Sequence, residues 1–149
     1  MKYRIFLVAV IAALFLMNNA VAGQFGIAGK DDPFSEAEGE ELVVLWTSGD
    51  PEVAGKMVFM YVYNAKKNGW FDEITFIVWG PSSKLLAENE KLQEEVLKMK
   101  EEGVILKACK ACADQYGVSG KLEELGIDVK YMGRPLTKYI KEGYHVVTF

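Results

Sequence analysis

The sequence predicts an α/β fold: a three-layer α/β/α domain on a five-stranded, mainly parallel sheet. Three observations predict it. Strand-like and helix-like segments alternate from residue 41 to the end of the chain, which implies right-handed crossovers and parallel pairing. The first strand-like run, LVVLW, is apolar throughout and the second, ITFIVW, is broken only by Thr75, as suits strands buried on both faces. The segments between are bounded by capping residues and glycines at helical lengths.

Leu42–Trp46 is the first expected strand, followed by the loop Thr47-Ser48-Gly49-Asp50. Asp50 suits an N-cap and Pro51 a first helical position, so a helix is expected over Pro51–Asn68, ended by Gly69. Its middle, MVFMYVY, could pass for a strand alone, but the caps and the length favour helix. A helix apolar nearly all round has to bury more than one face, which predicts the sheet on one side and a second subunit on another.

Ile74–Trp79 is the second strand, closed by Gly80-Pro81. Ser82 or Ser83 then caps a long amphipathic helix expected to about Glu102, with Leu85, Leu92, Val96 and Met99 on one stripe and its charges on a solvated face. Gly103 ends it. Val104–Ala108 is the third strand and runs into Cys109. A short helix over Ser119–Leu125, a strand over Asp128–Met132, a helix over Pro135–Glu142 and a strand over Tyr144–Phe149 complete the alternation, with Gly126 and Gly143 as stops.

Ahead of this domain, Lys2 and Arg4 precede 13 apolar residues, Ile5–Met17, and Ala20-Val21-Ala22 supplies a small-residue cleavage pattern. Residues 1–22 therefore read as a secretory signal peptide, too short in its apolar run to span a bilayer. Export to a periplasmic or other extracytoplasmic space follows, with no membrane association after cleavage. Residues 23–40, rich in Gly, Asp and Glu, read as a flexible acidic arm. The 127 residues left after cleavage behind Ala22, arm included, suit one domain. Their 15 basic against 21 acidic side chains give a formal charge of −6, which argues against nucleic acid as a partner, because phosphate binding needs a basic footprint.

Cys109 and Cys112, in ILKACKACADQY, are the only cysteines. They stand where a strand meets a helix. Free N–H groups at a helix start favour thiolate, Lys107 and Lys110 add positive charge, and Asp114 opposes them. The same spacing suits a structural disulfide or two buried small side chains. Zinc is disfavoured, since structural sites want four Cys or His ligands and His145 is the only histidine. No cofactor or metal is expected. Parallel sheets gather ligands beyond the carboxyl ends of their strands. There Thr47, Ser48, Gly49, Gly80, Ser82 and Arg134 join the two cysteines as candidate ligand-binding positions, a partly cationic cup for an anion or a persulfide.

At LVVLWTSGDP, EITFIVWGPS, GVILKACKACADQYGV, LGIDVKYMG and PLTKYIKEGYHVVTF the chain resembles the DsrE-like (DsrE/DsrF) sulfur-relay proteins over residues 41–149. The resemblance implies the three-layer fold, assembly into homo-oligomers, and a strand-end cysteine, here Cys109, that accepts sulfane sulfur as a persulfide and passes it from a donor to an acceptor. Many relatives carry a small hydroxyl residue where this chain has Cys112, so a neighbouring thiol could resolve the persulfide to a disulfide. The function expected is that of an exported sulfurtransferase, sulfur carrier or thiol-redox protein working through Cys109 and Cys112. The alternative is a non-catalytic oligomeric module that binds a small ligand and holds a structural Cys-x-x-Cys disulfide. A thioredoxin-type oxidoreductase is disfavoured by the regular alternation of elements and by the lack of a tryptophan before the first cysteine.

Overall fold

The computed structural model describes residues 40–149. The signal peptide expected over 1–22 and the arm expected over 23–40 lie outside the described residues, Glu40 apart.

Five strands form one sheet: β1 (Glu41–Trp46), β2 (Glu73–Val78), β3 (Ile105–Cys109), β4 (Asp128–Lys130) and β5 (His145–Thr148). They lie in the order β4-β3-β2-β1-β5 and every pairing is parallel. The register sets Val44 beside Phe76, Val78 beside Ala108, and Cys109 beside Lys130. All five strands thus end at one edge.

Between β1 and β2 the chain runs through α1 (Pro51–Val53), a π-helical segment (Ala54–Val58) and α2 (Phe59–Lys67). Asp50 caps its start, accepting from the N–H groups of Glu52 at 2.7 Å and Val53 at 3.4 Å. The apolar MVFMYVY is helical, and Val58, Phe59 and Val62 enter the core from it. Met57 and Met60 remain more than half exposed on the side away from the sheet.

The long helix expected up to Glu102 is two helices, α3 (Pro81–Glu88) and α4 (Glu90–Glu101). The break at Asn89 is well satisfied. The Asn89 side chain accepts from the Leu92 N–H at 3.1 Å, while the Gln93 amide donates to the carbonyls of Leu86 and Ala87, both at 2.9 Å. One side chain thus caps the new helix and the other takes up orphan carbonyls of the old one. The start also differs from expectation: α3 begins at Pro81, and Gly80, at φ 73°, holds the N-cap position. After β3 come α5 (Lys110–Tyr116) and α6 (Ser119–Glu124), and α7 (Gly133–Lys141) joins β4 to β5. β4 stops at Lys130, short of the expected Met132, because Met132 turns inward and is fully buried.

The two faces of the sheet are covered unequally. Leu42, Val44, Trp46, Ile74, Phe76, Val78, Leu106 and Ala108 pack under α1–α6 in one large core, where Trp46 meets Phe59 edge-on at 5.0 Å and Phe76 at 6.0 Å. On the other face Val43, Ile77, Cys109 and Met132 form a smaller cluster closed by Leu136 and Tyr139 of α7. Beyond the reach of that single helix, Ile105 and Val146 are each 37% exposed.

Candidate functional site

Parallel pairing brings the ends of β1, β2 and β3 to one edge, and the loops there are stitched together. The Trp79 N–H donates to the Trp46 carbonyl at 2.9 Å. The fully buried Ser82 hydroxyl donates to the same carbonyl at 2.6 Å and accepts from the Trp79 N–H at 3.0 Å. A Cβ at Gly49 would lie 3.2 Å from the Pro81 side chain, so any larger residue in the first strand-end loop would crowd the start of α3. The Thr47 N–H and hydroxyl both donate to the Phe149 carbonyl, at 2.7 and 2.8 Å. Ser48 accepts from the Asp50 N–H at 3.1 Å. The hydroxyls of Thr47, Ser48 and Ser82 are thus engaged with backbone groups of the chain itself.

Cys109 ends β3 and stands at the N-cap position of α5, with φ −74° and ψ 108°. It is 4% exposed. Cys112, one turn into α5, is half-buried; the two residues approach within 3.3 Å, and both are free. The structural disulfide weighed from the spacing is therefore absent here: the pair is two thiols in contact. Burial pushes the Cys112 thiol above its ordinary value of 9.0, and the hydrogen bond with Cys109 adds to the rise, while the Gly80 backbone amide pulls the other way. Cys112 accordingly holds its proton through neutral pH. The shift at Cys112 runs opposite to the thiolate-favouring effect expected of nearby cations. Both neighbouring lysines are engaged elsewhere: Lys110 pairs with Asp114 at 2.9 Å and Lys107 with Asp128 at 3.3 Å.

Gly80 is where the second strand-end loop meets the thiols. Its positive φ turns the chain between β2 and α3 and leaves its amide beside Cys112. The loop after β4 contributes Met132, packed in the same cluster as Cys109. Of the candidate ligand-binding positions, Gly80 therefore lies against the cysteines, while Thr47 and Ser48 are tied to the carboxyl terminus and to their own loop.

Arg134 lies elsewhere. It lines a groove of about 830 Å³ between α7 and the β3–β4 corner, together with Lys107, Lys130, Lys138 and Lys141. Of this set the sequence marks Arg134 as a candidate ligand position and Lys107 only as a charge beside the thiols. Two signals were available: Arg134, Lys138 and Lys141 fall at i, i+4 and i+7 of one helix face, and Lys107 shares a strand face with Cys109. His145, the lone histidine, is exposed and pairs with Glu40 at 3.3 Å. Among the described residues no three His, Cys, Asp or Glu side chains are grouped as metal ligands, and no helix is long and apolar enough to cross a membrane.

A family model described as the DsrE/DsrF-like family matches residues 41–149. BT1422 from Bacteroides thetaiotaomicron, a conserved protein of unknown function with a solved structure, is 38% identical; the match covers 74% of this chain and 95% of that one, with a TM-score of 0.72. The ychN protein from E. coli is 16% identical over 75% of this chain and 100% of its own, with a TM-score of 0.56, a likeness of fold. No curated protein matches the chain.

Proposed function

The chain belongs to the DsrE/DsrF-like family, a family of sulfur-relay type, and on that footing we propose that it handles sulfane sulfur through Cys109. The observation that carries this reading is the placement of Cys109 at the carboxyl end of β3, at a helix start, with a second free thiol within 3.3 Å. The Cys109 thiolate attacks the outer sulfur of a donor, a Cys109 S–S bond forms, and the donor's own S–S bond breaks with its electron pair leaving on the donor. An acceptor thiolate then takes the outer sulfur in the same way. The protein acts as a sulfur carrier or sulfurtransferase, exported beyond the cytoplasm and assembled as a homo-oligomer. The leader-like residues 1–22 support the first of these and exposed Met57 and Met60 the second.

The proximity of Cys112 favours one further outcome, thiol redox. A Cys112 thiolate attacking the inner sulfur of a Cys109 persulfide would form the Cys109–Cys112 disulfide and release hydrosulfide. The raised Cys112 pKa keeps that thiolate scarce at neutral pH, so transfer competes well with self-resolution.

Intact and peptide mass spectrometry after incubation with a persulfide donor, with and without reductant, tests the reading on wild type and Cys109→Ser. A reductant-sensitive gain of one sulfur on Cys109, lost in the variant, is expected. A wild-type chain that shows only the disulfide and never gains sulfur overturns the carrier function.

A further inference from the structure

The groove lined by Arg134 is strongly cationic in a chain that is not. The sequence carries a formal charge of −4, yet five of its 17 lysine and arginine side chains line this one concavity, against a single acid, Glu142. Its floor is Lys107 of β3 and Lys130 of β4, and its wall is the α7 face that presents Arg134, Lys138 and Lys141. Asp128 holds Lys107 and Lys130 from below, and Glu142 lies 3.6 Å from Lys138. Arg134 and Lys141 have no carboxylate partner among the described residues. Two cations aimed along one helix face into a concave, low-acid surface raise the local concentration of anions.

The groove is also next to the thiol. Lys130 is the register partner of Cys109, and Lys107 precedes Cys109 by two residues on the same strand, so all three side chains leave the same face of the sheet. Tyr139 belongs both to the groove lining and to the cluster around Cys109.

We propose that this groove binds the sulfur donor as an anion: a small sulfane-sulfur compound bearing an oxyanion or carboxylate, held by Arg134 and Lys141 with its outer sulfur toward Cys109. The inference rests on the reading of Cys109 as sulfur acceptor and adds the donor's chemical class. With thiosulfate, the simplest such anion, the Cys109 thiolate takes the outer sulfur, the S–S bond of thiosulfate breaks, and sulfite leaves with the electron pair. Charge and atoms balance with no further oxidant or reductant. The cavity, within the roughly 300–1,000 Å³ usual for small-molecule sites, has room for organic donors as well.

Calorimetric titration of the full Cys109→Ser chain with thiosulfate and with methanethiosulfonate, whose terminal sulfur is transferable with methanesulfinate as the leaving group, separates binding from reaction and an inorganic from an organic source. At least one probe is expected to bind, to weaken as sodium chloride is added, and to weaken about tenfold or more in Arg134→Gln/Lys141→Gln, since each lost charge-assisted contact is a strong one. Lys91→Gln, on the exposed face of α4, should bind as the parent does. If neither probe binds, or if the double variant binds as well as the parent, the anion site is refuted. Wild-type protein is then exposed to thiosulfate and its Cys109 peptide weighed, with a gain of one sulfur expected. Thiosulfate that binds but gives no sulfur to a chain able to take it from the persulfide donor overturns the donor assignment. No gain from either donor overturns the Cys109 reading instead.

Discussion

Cys109 and Lys130 face each other across the β3–β4 pairing, so the thiol and an ammonium group leave the sheet on the same side. Asp128 lies two residues before Lys130 and pairs with it and with Lys107. Hydrogen bonding to Lys130 and then to Lys107 holds the Asp128 carboxyl below its ordinary range, and Lys130 is correspondingly raised. Asp128→Asn should therefore release two cations to the groove. Thiosulfate binding to the Cys109→Ser chain is expected to tighten several-fold at low salt, with the gain shrinking as salt is added. The stability loss should stay within about 1 kcal/mol, since the pair is partly exposed. The depressed carboxyl pKa stabilises the fold above the unfolded value of about 3.8, and that contribution disappears as pH falls through the folded pKa. Unfolding midpoints of the wild type and variant should thus converge on acidification. Weaker anion binding in the variant would show that Asp128 helps to build the groove.

The raised pKa of Cys112 makes a kinetic prediction. Because the thiolate is the nucleophile, alkylation mapped to Cys112 by peptide mass spectrometry should be slow at pH 7–8 and should rise only above pH 9.0, the group's ordinary value. The linkage has a definite sign. The folded state holds this proton more tightly than the unfolded chain, so its stabilising effect is complete below pH 9.0 and is lost as pH rises through the folded pKa. Rapid labelling of Cys112 at neutral pH in the folded protein would contradict the half-buried, hydrogen-bonded thiol.

Ser82→Ala tests whether that hydroxyl is a fastener between β1 and β2. The buried group donates to the Trp46 carbonyl and accepts from the Trp79 N–H. Those two groups keep each other as partners at 2.9 Å, so its loss removes hydrogen bonds without orphaning either and should cost about 0.5–1.5 kcal/mol in urea unfolding. A variant as stable as the wild type but poorer in ligand binding would instead return Ser82 to a binding role.

Gly80→Ala isolates a backbone effect. Gly80 adopts φ 73°, and a Cβ there would meet nothing within 4 Å, so the change crowds no neighbour. The left-handed conformation alone should cost about 1–2 kcal/mol. Any relaxation of the turn also moves an amide away from Cys112 and should lift that thiol's apparent pKa further in the same alkylation assay.

The fold was legible because its signals are local. LVVLW is wholly apolar and ITFIVW carries only Thr75 as a polar residue, Asp50-Pro51 states where a helix begins, and Gly103 and Gly126 state where helices end. The π segment at Ala54–Val58 and the break at Asn89 left no comparable mark. Asn89 reads as one more polar residue on a charged face until Gln93, four residues on, is seen to collect the carbonyls of the preceding helix. The thiols at Cys109 and Cys112 were legible from spacing and position. What their neighbours do was not. Thr47 and Ser82 look free in sequence and are taken up by partners 102 and 36 residues away. The groove draws on β3, β4 and α7, three elements that only the sheet order brings side by side.

The unequal layers give the molecule two grades of cohesion. α7 has no fully buried residue of its own and holds to the sheet through Leu136, Tyr139 and the contact of Tyr139 with Tyr144, ring centroids 5.0 Å apart. α1–α6 enclose the large aromatic and aliphatic core. Backbone amides of Gly133–Lys141 should therefore exchange with deuterium through small local openings, while those of β1 and β2 wait for global unfolding. Faster exchange there than in β1 and β2 would mark the last helix as the part of the molecule that loosens first, on the side where Leu136 and Tyr139 close over Cys109.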